Sequence, residues 1–348
     1  MKIASLYGPR DIRIEEGTDA EPGPGEVLLD VTAVGICGSD LHTYMYGNVG
    51  GIASDGPFTL GHEAAGRVLA LGAGVTTLKV GDRVAIDPAT NCGECEHCRA
   101  GEPHLCLNMI FMGLWPHHGA LRERMVHPAK SCVPIPTGIS DASIALLEPL
   151  GVALHASRLA QVQLGEDVAV IGCGGIGLLL IRLARLAGAR RIFAVDRHVW
   201  RLNQAAQFGA DVIYNADETD VVAEIMRATN KRGVDLALEA AWVADTTNIC
   251  VEVARFGGRV IIVGIPVEDV LTIKASAARR KELLIQHSRR MKHTYPVSIQ
   301  LALSKQVDLD SLATHQFNLD QTREAFEVAG LYQDGVVRAV VLPNRQHG

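Results

Sequence analysis

The 348-residue sequence lacks three things, and each absence removes a class of function. It has no surplus of positive charge: 33 Lys and Arg stand against 39 Asp and Glu, for a formal net charge of -6. Nucleic acids and anionic membranes are gripped by clustered cations, so this balance speaks against both as partners. It has no long apolar run. The longest, Val168 to Ile181, is broken by Gly172, Gly174, Gly175 and Gly177 and stops at Arg182, whereas a bilayer span takes about 20 apolar residues. It has no secretion-type start either, because Met1 to Pro9 is a mixed stretch without a basic head or apolar middle. Repeats and low-complexity segments are also missing. The expectation is a cytoplasmic protein that acts on a small molecule, with no membrane and no nucleic acid as partner.

What is present divides into two grammars. Up to about Leu150 the chain reads as short β-runs broken by Gly and Pro: Val27 to Val34, Gly66 to Ala70 and Arg83 to Ile86. That pattern predicts a small all-β domain whose loops carry the unusual residues. From about Gly151, apolar β-branched runs alternate with helical stretches. Val168 to Ile171, Arg191 to Asp196, Asp235 to Glu239 and Arg259 to Val263 read as strands, with helices over Ile176 to Ala187 and Trp200 to Phe208. Such alternation predicts a parallel sheet covered on both faces, so the fold class is α/β. Further on, helices are expected over Pro296 to Leu303 and Gln321 to Ala329, and a final strand over Gly335 to Leu342.

Gly172-Cys173-Gly174-Gly175-Ile176-Gly177 is G-x-G-x-x-G, placed after a strand and opening a helix. Glycine there permits the tight turn, the approach of a pyrophosphate to backbone amides and close helix packing. Asp196 ends the next strand, where a carboxylate accepts from ribose hydroxyls and repels a 2′-phosphate, which favours NAD over NADP. Arg197 and Arg201 lie close by and would soften that preference, although such arginines are more often solvated or stacked on the adenine. Val263 and Gly264, at the end of a later strand, complete the expected cofactor contacts.

Cys92, Cys95, Cys98 and Cys106 are spaced C-x2-C-x2-C-x7-C. Four thiolates converging from one loop make a closed tetrahedral zinc site, structural rather than catalytic. Disulfides and an iron–sulfur cluster are the other readings of such a loop. A second set is dispersed: Cys37, His62, Glu63 and Glu148. Singly these are a small cysteine, a core histidine and two carboxylates. Together they make a mixed zinc site with room for a substrate oxygen.

With these residues in view, the sequence resembles the zinc-dependent medium-chain dehydrogenases. Gly61-His62-Glu63-x2-Gly66-x5-Gly72-x2-Val75 resembles their zinc signature, and Lys79-x-Gly81-Asp82-Arg83-Val84, the cysteine loop and Gly172 to Gly177 follow in the family's order. Within the family it is most similar to the sorbitol (polyol) dehydrogenases, through Glu63, Leu147-Glu148-Pro149-Leu150, and Thr294-Tyr295-Pro296-Val297 after Arg290. The resemblance implies a GroES-like β-barrel catalytic domain over residues 1–152 and 289–348, around a Rossmann doubly wound domain over 153–288. It implies one catalytic zinc on Cys37, His62 and Glu63, with Glu148 holding the zinc water or replacing it, one structural zinc per chain, and a homo-oligomer, dimer or homotetramer. Three departures stand out: Thr43 replaces a tyrosine, Pro116-His117-His118-Gly119 replaces an acidic loop, and Ala241-Trp242 stands where a Thr-Gly pair is frequent.

The expected reaction is hydride transfer from a secondary alcohol of a polyol or sugar-like substrate to NAD. Ser39 and then His42, near bulk water, would relay the released proton. Arg290 would contact the substrate, within a basic run (Arg279-Arg280-Lys281, Arg289-Arg290, Lys292-His293) that is otherwise a solvated face or a subunit contact. An arginine fork there also suits a sugar acid such as an aldonate. Two rivals are a threonine-type amino alcohol dehydrogenase and a non-catalytic, zinc-stapled NAD-sensing protein.

Overall fold

The computed structural model describes residues 1–241, 243 and 245–344; Trp242 therefore lies outside the described residues. The chain divides into two compact units, Met1–Pro149 with the segment from Tyr295 onward, and Leu150–Thr294.

The first unit opens with a hairpin, β1 (Lys2–Gly8) and β2 (Asp11–Glu16). Its main seven-stranded sheet is built on β3 (Glu26–Gly35), whose apolar residues Val27, Leu29, Val31 and Ala33 alternate inward and are fully buried. Just past the end of β3 the chain turns into helix α1 (Gly38–Tyr46). β4 (Glu63–Leu71) runs antiparallel to β3 with Gly35 opposite Glu63, and β5 (Arg83–Ile86) continues the sheet beyond it. β6 (Arg124–Pro128) pairs with the first half of β3, and β7 (Cys132–Pro134) pairs with β5. The C-terminal strand Ala339–Leu342 lies along the other end of β3, with Val340 opposite Gly35, and the strand His315–Asn318 runs parallel to it. Hence three distant stretches meet at Gly35: the end of β3, the start of β4 and the last strand.

Helix α2 (Leu147–Ala160) leads into the second unit. There β8 (Asp167–Ile171), helix α3 (Gly175–Leu186), β9 (Arg191–Asp196), helix α4 (Val199–Phe208), β10 (Val212–Asn215), β11 (Val234–Glu239), β12 (Ala254–Ile262) and β13 (Leu284–His287) follow in turn. The strands form one six-stranded parallel sheet in the order β10-β9-β8-β11-β12-β13. The order reverses at β8, so the crevice at its carboxyl end is the switch point where such sheets take ligands. Ile171, Phe193, Val195, Ile225 and Val260 are among the residues of its core.

The zinc-family architecture of a β domain plus a parallel α/β domain is what the sequence implied. One element differs: the last strand begins at Ala339 rather than Gly335, because Tyr332 and Asp334 adopt positive φ and the chain makes a 3-10 turn at Gln333–Gly335 first. Among the described residues no helix is long and apolar enough to cross a membrane.

Candidate active site and cofactor site

In the first unit, the dispersed residues converge. One ligand atom each of Cys37, His62 and Glu63 lies within 4.8 Å of the others. Backbone geometry explains why. Cys37 sits at the N-cap of α1, and its N–H donates to Asp40 Oδ2 at 3.0 Å. Gly61 has φ 94, and its N–H donates to Asp40 Oδ1 at 3.2 Å. The same Oδ1 lies 3.3 Å from His62 Nδ1. One buried carboxylate thus fixes the cysteine loop, the histidine loop and the imidazole, leaving Nε2 as the ligating nitrogen in the manner of carboxylate–histidine–metal triads.

Glu63 is fully buried, and among the described residues neither carboxylate oxygen accepts a well-formed hydrogen bond. Its counter-charge is Arg338, whose Nη1 stands 3.1 Å from Glu63 Oε1 and donates to Ile36 O at 2.8 Å. The space for the Glu63 side chain exists because residue 35 is glycine: a Cβ there would come within 2.4 Å of Glu63 Oε2.

These residues fit a zinc ion. A buried carboxylate with idle lone pairs costs free energy unless a cation meets it. Burial opposes protonation of His62, yet Asp40 and the Cys37 sulfur raise its pKa well above the ordinary value; surroundings that hold a proton so firmly suit a cation equally. Glu148, in the first turn of α2, lies outside the trio but within its electrostatic reach. Burial first, and then Glu63 and Asp87, push its carboxyl up to about 8 against the lowering effect of His62. A divalent ion beside these groups would reverse that shift.

The four-cysteine loop also closes on itself. All four sulfurs lie within 4.8 Å of one another, and the Cys92 N–H points at Cys106 Sγ at 3.3 Å. Cys92 and Cys106 sulfurs are 3.5 Å apart, and all eight cysteines are free thiols, so the disulfide reading fails. Backbone amides of Glu94 and Cys95 aimed at Cys92 lower its pKa to about 6. The Cys92 thiolate so favoured is the form zinc takes, while burial and the neighbouring sulfurs push Cys98 up to about 12.

In the second unit, Gly172 takes φ 98, and a Cβ on it would meet Ala240 O at 2.7 Å. Gly177 packs so closely that a Cβ would lie 1.8 Å from Gly172 O, whereas a Cβ at Gly174, the N-cap of α3, meets nothing within 4 Å. The turn is therefore tight below and open above, as a pyrophosphate at a helix N-terminus needs. Asp196 is buried at the end of β9, accepting from the Cys173 N–H at 2.8 Å and the His198 N–H at 2.9 Å. Arg201 approaches it at 3.8 Å and lies over the Trp200 ring, while Arg197 turns outward to Asp217 at 2.7 Å. Val263 and Gly264 follow β12 at the same carboxyl edge and both hydrogen-bond to Glu239 O.

Other expectations change. Ser39 is half-buried in the first turn of α1, but His42, expected near bulk water, is only 3% exposed, its ring edge-on to Tyr46. Positions 42 and 46 are one helical turn apart, so the two rings meet edge to face on one side of the helix. Tyr295, in the segment that carries the polyol-dehydrogenase resemblance, is buried with its hydroxyl donating to Ile86 O at 3.3 Å. Arg290 is half-buried with φ 56, in the loop after β13 of the second unit. Asp40, Arg338 and Gly35 are the residues that sequence reading missed. Only Asp40 had a local signal, a carboxylate three residues after Cys37 at capping spacing.

The chain matches two family models, the alcohol dehydrogenase GroES-like domain over residues 23–137 and the zinc-binding dehydrogenase domain over 175–304. It is 37% identical over 345 residues to the sorbitol dehydrogenase of Bacillus subtilis, covering 99% of this chain and 98% of that enzyme. It is 34% identical to the L-idonate 5-dehydrogenase of Vitis vinifera, over 94% of this chain and 90% of the other. A crystal structure of an Escherichia coli oxidoreductase/dehydrogenase of unknown specificity superposes with a TM-score of 0.93 at 32% identity, over 99% of each chain.

Proposed function

We propose that this chain, which belongs to the zinc-dependent medium-chain dehydrogenases and within them to the sorbitol-dehydrogenase-like branch, oxidises a secondary alcohol of a neutral polyol. It is a zinc-dependent, NAD-linked oxidoreductase with two zinc sites of different design, one closed and one open. The observation that carries the substrate reading is the acid-rich open site: Glu63 in the trio and Glu148 beside it.

When bound, zinc supplies Lewis acidity to the alcohol oxygen and NAD accepts the hydride. Cys37, His62 and Glu63 hold the metal, and Asp40 orients the His62 ring. Arg338 balances Glu63, so that the carboxylate is not left as an isolated buried charge. The Ser39 hydroxyl receives the proton released by the substrate, and His42 passes it on. Gly172, Gly174, Gly175, Ile176 and Gly177 cradle the pyrophosphate, and Asp196 takes the adenosine ribose. Arg201, held over the Trp200 ring beside Asp196, would be available to stack on the adenine, and Arg197 stays paired with Asp217 at the surface.

Asp196 sets the cofactor preference. Asp196→Ala is expected to raise KM for NAD about tenfold, losing a charge-assisted hydrogen-bond pair, and to narrow the gap to NADP. Steady-state kinetics with both cofactors checks this, and a wild-type preference for NADP would overturn the assignment.

A sugar acid is the second reading. It is favoured by Arg290 and by the relative from Vitis vinifera, whose name specifies idonate. A panel of polyols and their matching aldonates, followed by NADH production, decides between them. Activity confined to aldonates would overturn the polyol reading, and activity on threonine alone would overturn both. The protein acts in the cytoplasm, where free thiols persist. It works as a homo-oligomer, for which the open edge of β13 and the exposed Leu284 offer a pairing surface, checked by light scattering.

A further inference from the structure

We infer that Glu239 is a positioning residue for the dinucleotide, a pin that holds the second half of the cofactor site in shape. Glu239 ends β11, the strand beside β8 on the far side of the switch point, and it is buried. Its main chain and side chain tie three segments together. The carbonyl oxygen accepts from the Val263 N–H at 2.9 Å and the Gly264 N–H at 3.3 Å. On the side chain, Oε1 accepts from the Ala241 N–H at 2.8 Å and the Thr246 hydroxyl at 2.8 Å. Oε2 accepts from the Gly264 N–H at 3.1 Å.

What these bonds fix bears directly on the cofactor turns. Gly264 packs so tightly that a Cβ would lie 1.9 Å from Ala241 O and 2.6 Å from Glu239 Oε2. On the other side, a Cβ on Gly172 would meet Ala240 O at 2.7 Å and the Ala241 side chain at 3.1 Å. The backbone of Ala240–Ala241 is thus wedged between the first glycine of the pyrophosphate turn and the Val263–Gly264 turn, and the Glu239 carboxylate sets its position. Among the described residues a backbone N–H faces each of its two oxygens, and the Thr246 hydroxyl, which also reaches Val243 O, is a third donor. A carboxylate can accept from all of them, whereas a carboxamide of the same shape must aim an NH2 at a backbone N–H or at Thr246.

The inference rests on NAD occupying this site, so wild-type binding is measured first, by fluorescence titration of the zinc-loaded enzyme with NADH. Glu239→Gln is expected to raise the Kd for NADH about tenfold, and Thr246→Val, which removes one of the donors, about threefold. KM for NAD should rise in parallel, while KM for the alcohol and the zinc content stay at the wild-type level; a general loosening of the fold would move all of them. A Kd within twofold of wild type in both variants overturns the inference. Should Glu239→Gln fail to fold, Thr246→Val decides alone, a threefold rise supporting the pin and no change refuting it. A wild-type chain that does not bind NADH overturns the cofactor assignment itself, and the inference with it.

Discussion

His62→Ala should leave the protein folded, with about one zinc per chain instead of two, and lower kcat/KM by roughly 10³-fold or more. Among the described residues the imidazole is one of three side chains that converge in the open cluster, so its loss leaves Cys37 and Glu63, too few to retain a catalytic zinc at ordinary concentrations. Lewis-acid activation of an alcohol is worth several kcal/mol of barrier, and about 4 kcal/mol corresponds to that thousandfold. The fold should survive, because the residue lies where β4 begins and not along its paired register. Metal analysis and steady-state kinetics with NAD on the same preparation are the check. Two zincs and a kcat/KM within a few-fold of wild type would show that the trio is not the catalytic centre.

Cys92→Ser should give the complementary result. The zinc of the closed site is lost, the melting temperature falls, and kcat per folded molecule changes little. Cys92 faces Cys106 and Cys98 at 3.5 and 3.9 Å, and the segment between these cysteines contains only two short helical turns, Glu96–Arg99 and Pro103–Leu105. So small a lobe has little core of its own, and none of the residues of its first turn is buried. The metal is then its main cross-link, and losing it should destabilise the first unit by roughly 3 kcal/mol or more, a discounted share of what zinc contributes to isolated small domains. Thermal melts with and without a chelator report this. An unchanged melting temperature with one zinc missing would show that the loop is held by its chain alone.

The contrast between the two sites also explains what could be read from the sequence. The cysteine loop and the glycine turn are local: their geometry is set by spacing over a few residues, and both stand in the structure where the pattern put them. Strands such as Arg83–Ile86 and Arg191–Asp196 were legible for the same reason, being short β-branched runs closed by turns. The open site is non-local. Cys37, His62 and Glu63 could be grouped by chemistry and by the family resemblance, but nothing near residue 63 says that its carboxylate will meet Arg338. That meeting depends on the register of a strand almost three hundred residues later, Val340 against Gly35. Gly35 is equally silent in sequence, since a glycine at a strand end reads as a turn; only the close approach of Glu63 Oε2 reveals why no side chain fits. His42, expected as a relay residue near bulk water, is buried, and its burial is set by the packing of α1 rather than by anything local in the sequence. Glu239 shows the same limit, its role appearing only when the ends of β11 and β12 are seen side by side.

The way the first unit is sewn together has a consequence for how the enzyme comes into being on the ribosome. The segment that carries Cys37, His62, Glu63 and the four-cysteine loop emerges early, and Arg338 and the strand Ala339–Leu342 emerge much later. The nucleotide-binding unit, continuous in sequence, has all its strands available before that moment, so vectorial synthesis favours its completion first. Until the final strand docks beside Gly35, the Glu63 carboxylate has no guanidinium opposite it and the sheet edge above it is open. The closed zinc site needs only residues 92–106 and can be metallated while the chain is still growing. The open site acquires its counter-charge and its last flanking strand only once residues 338–342 have been made, long after the three residues that would hold its metal.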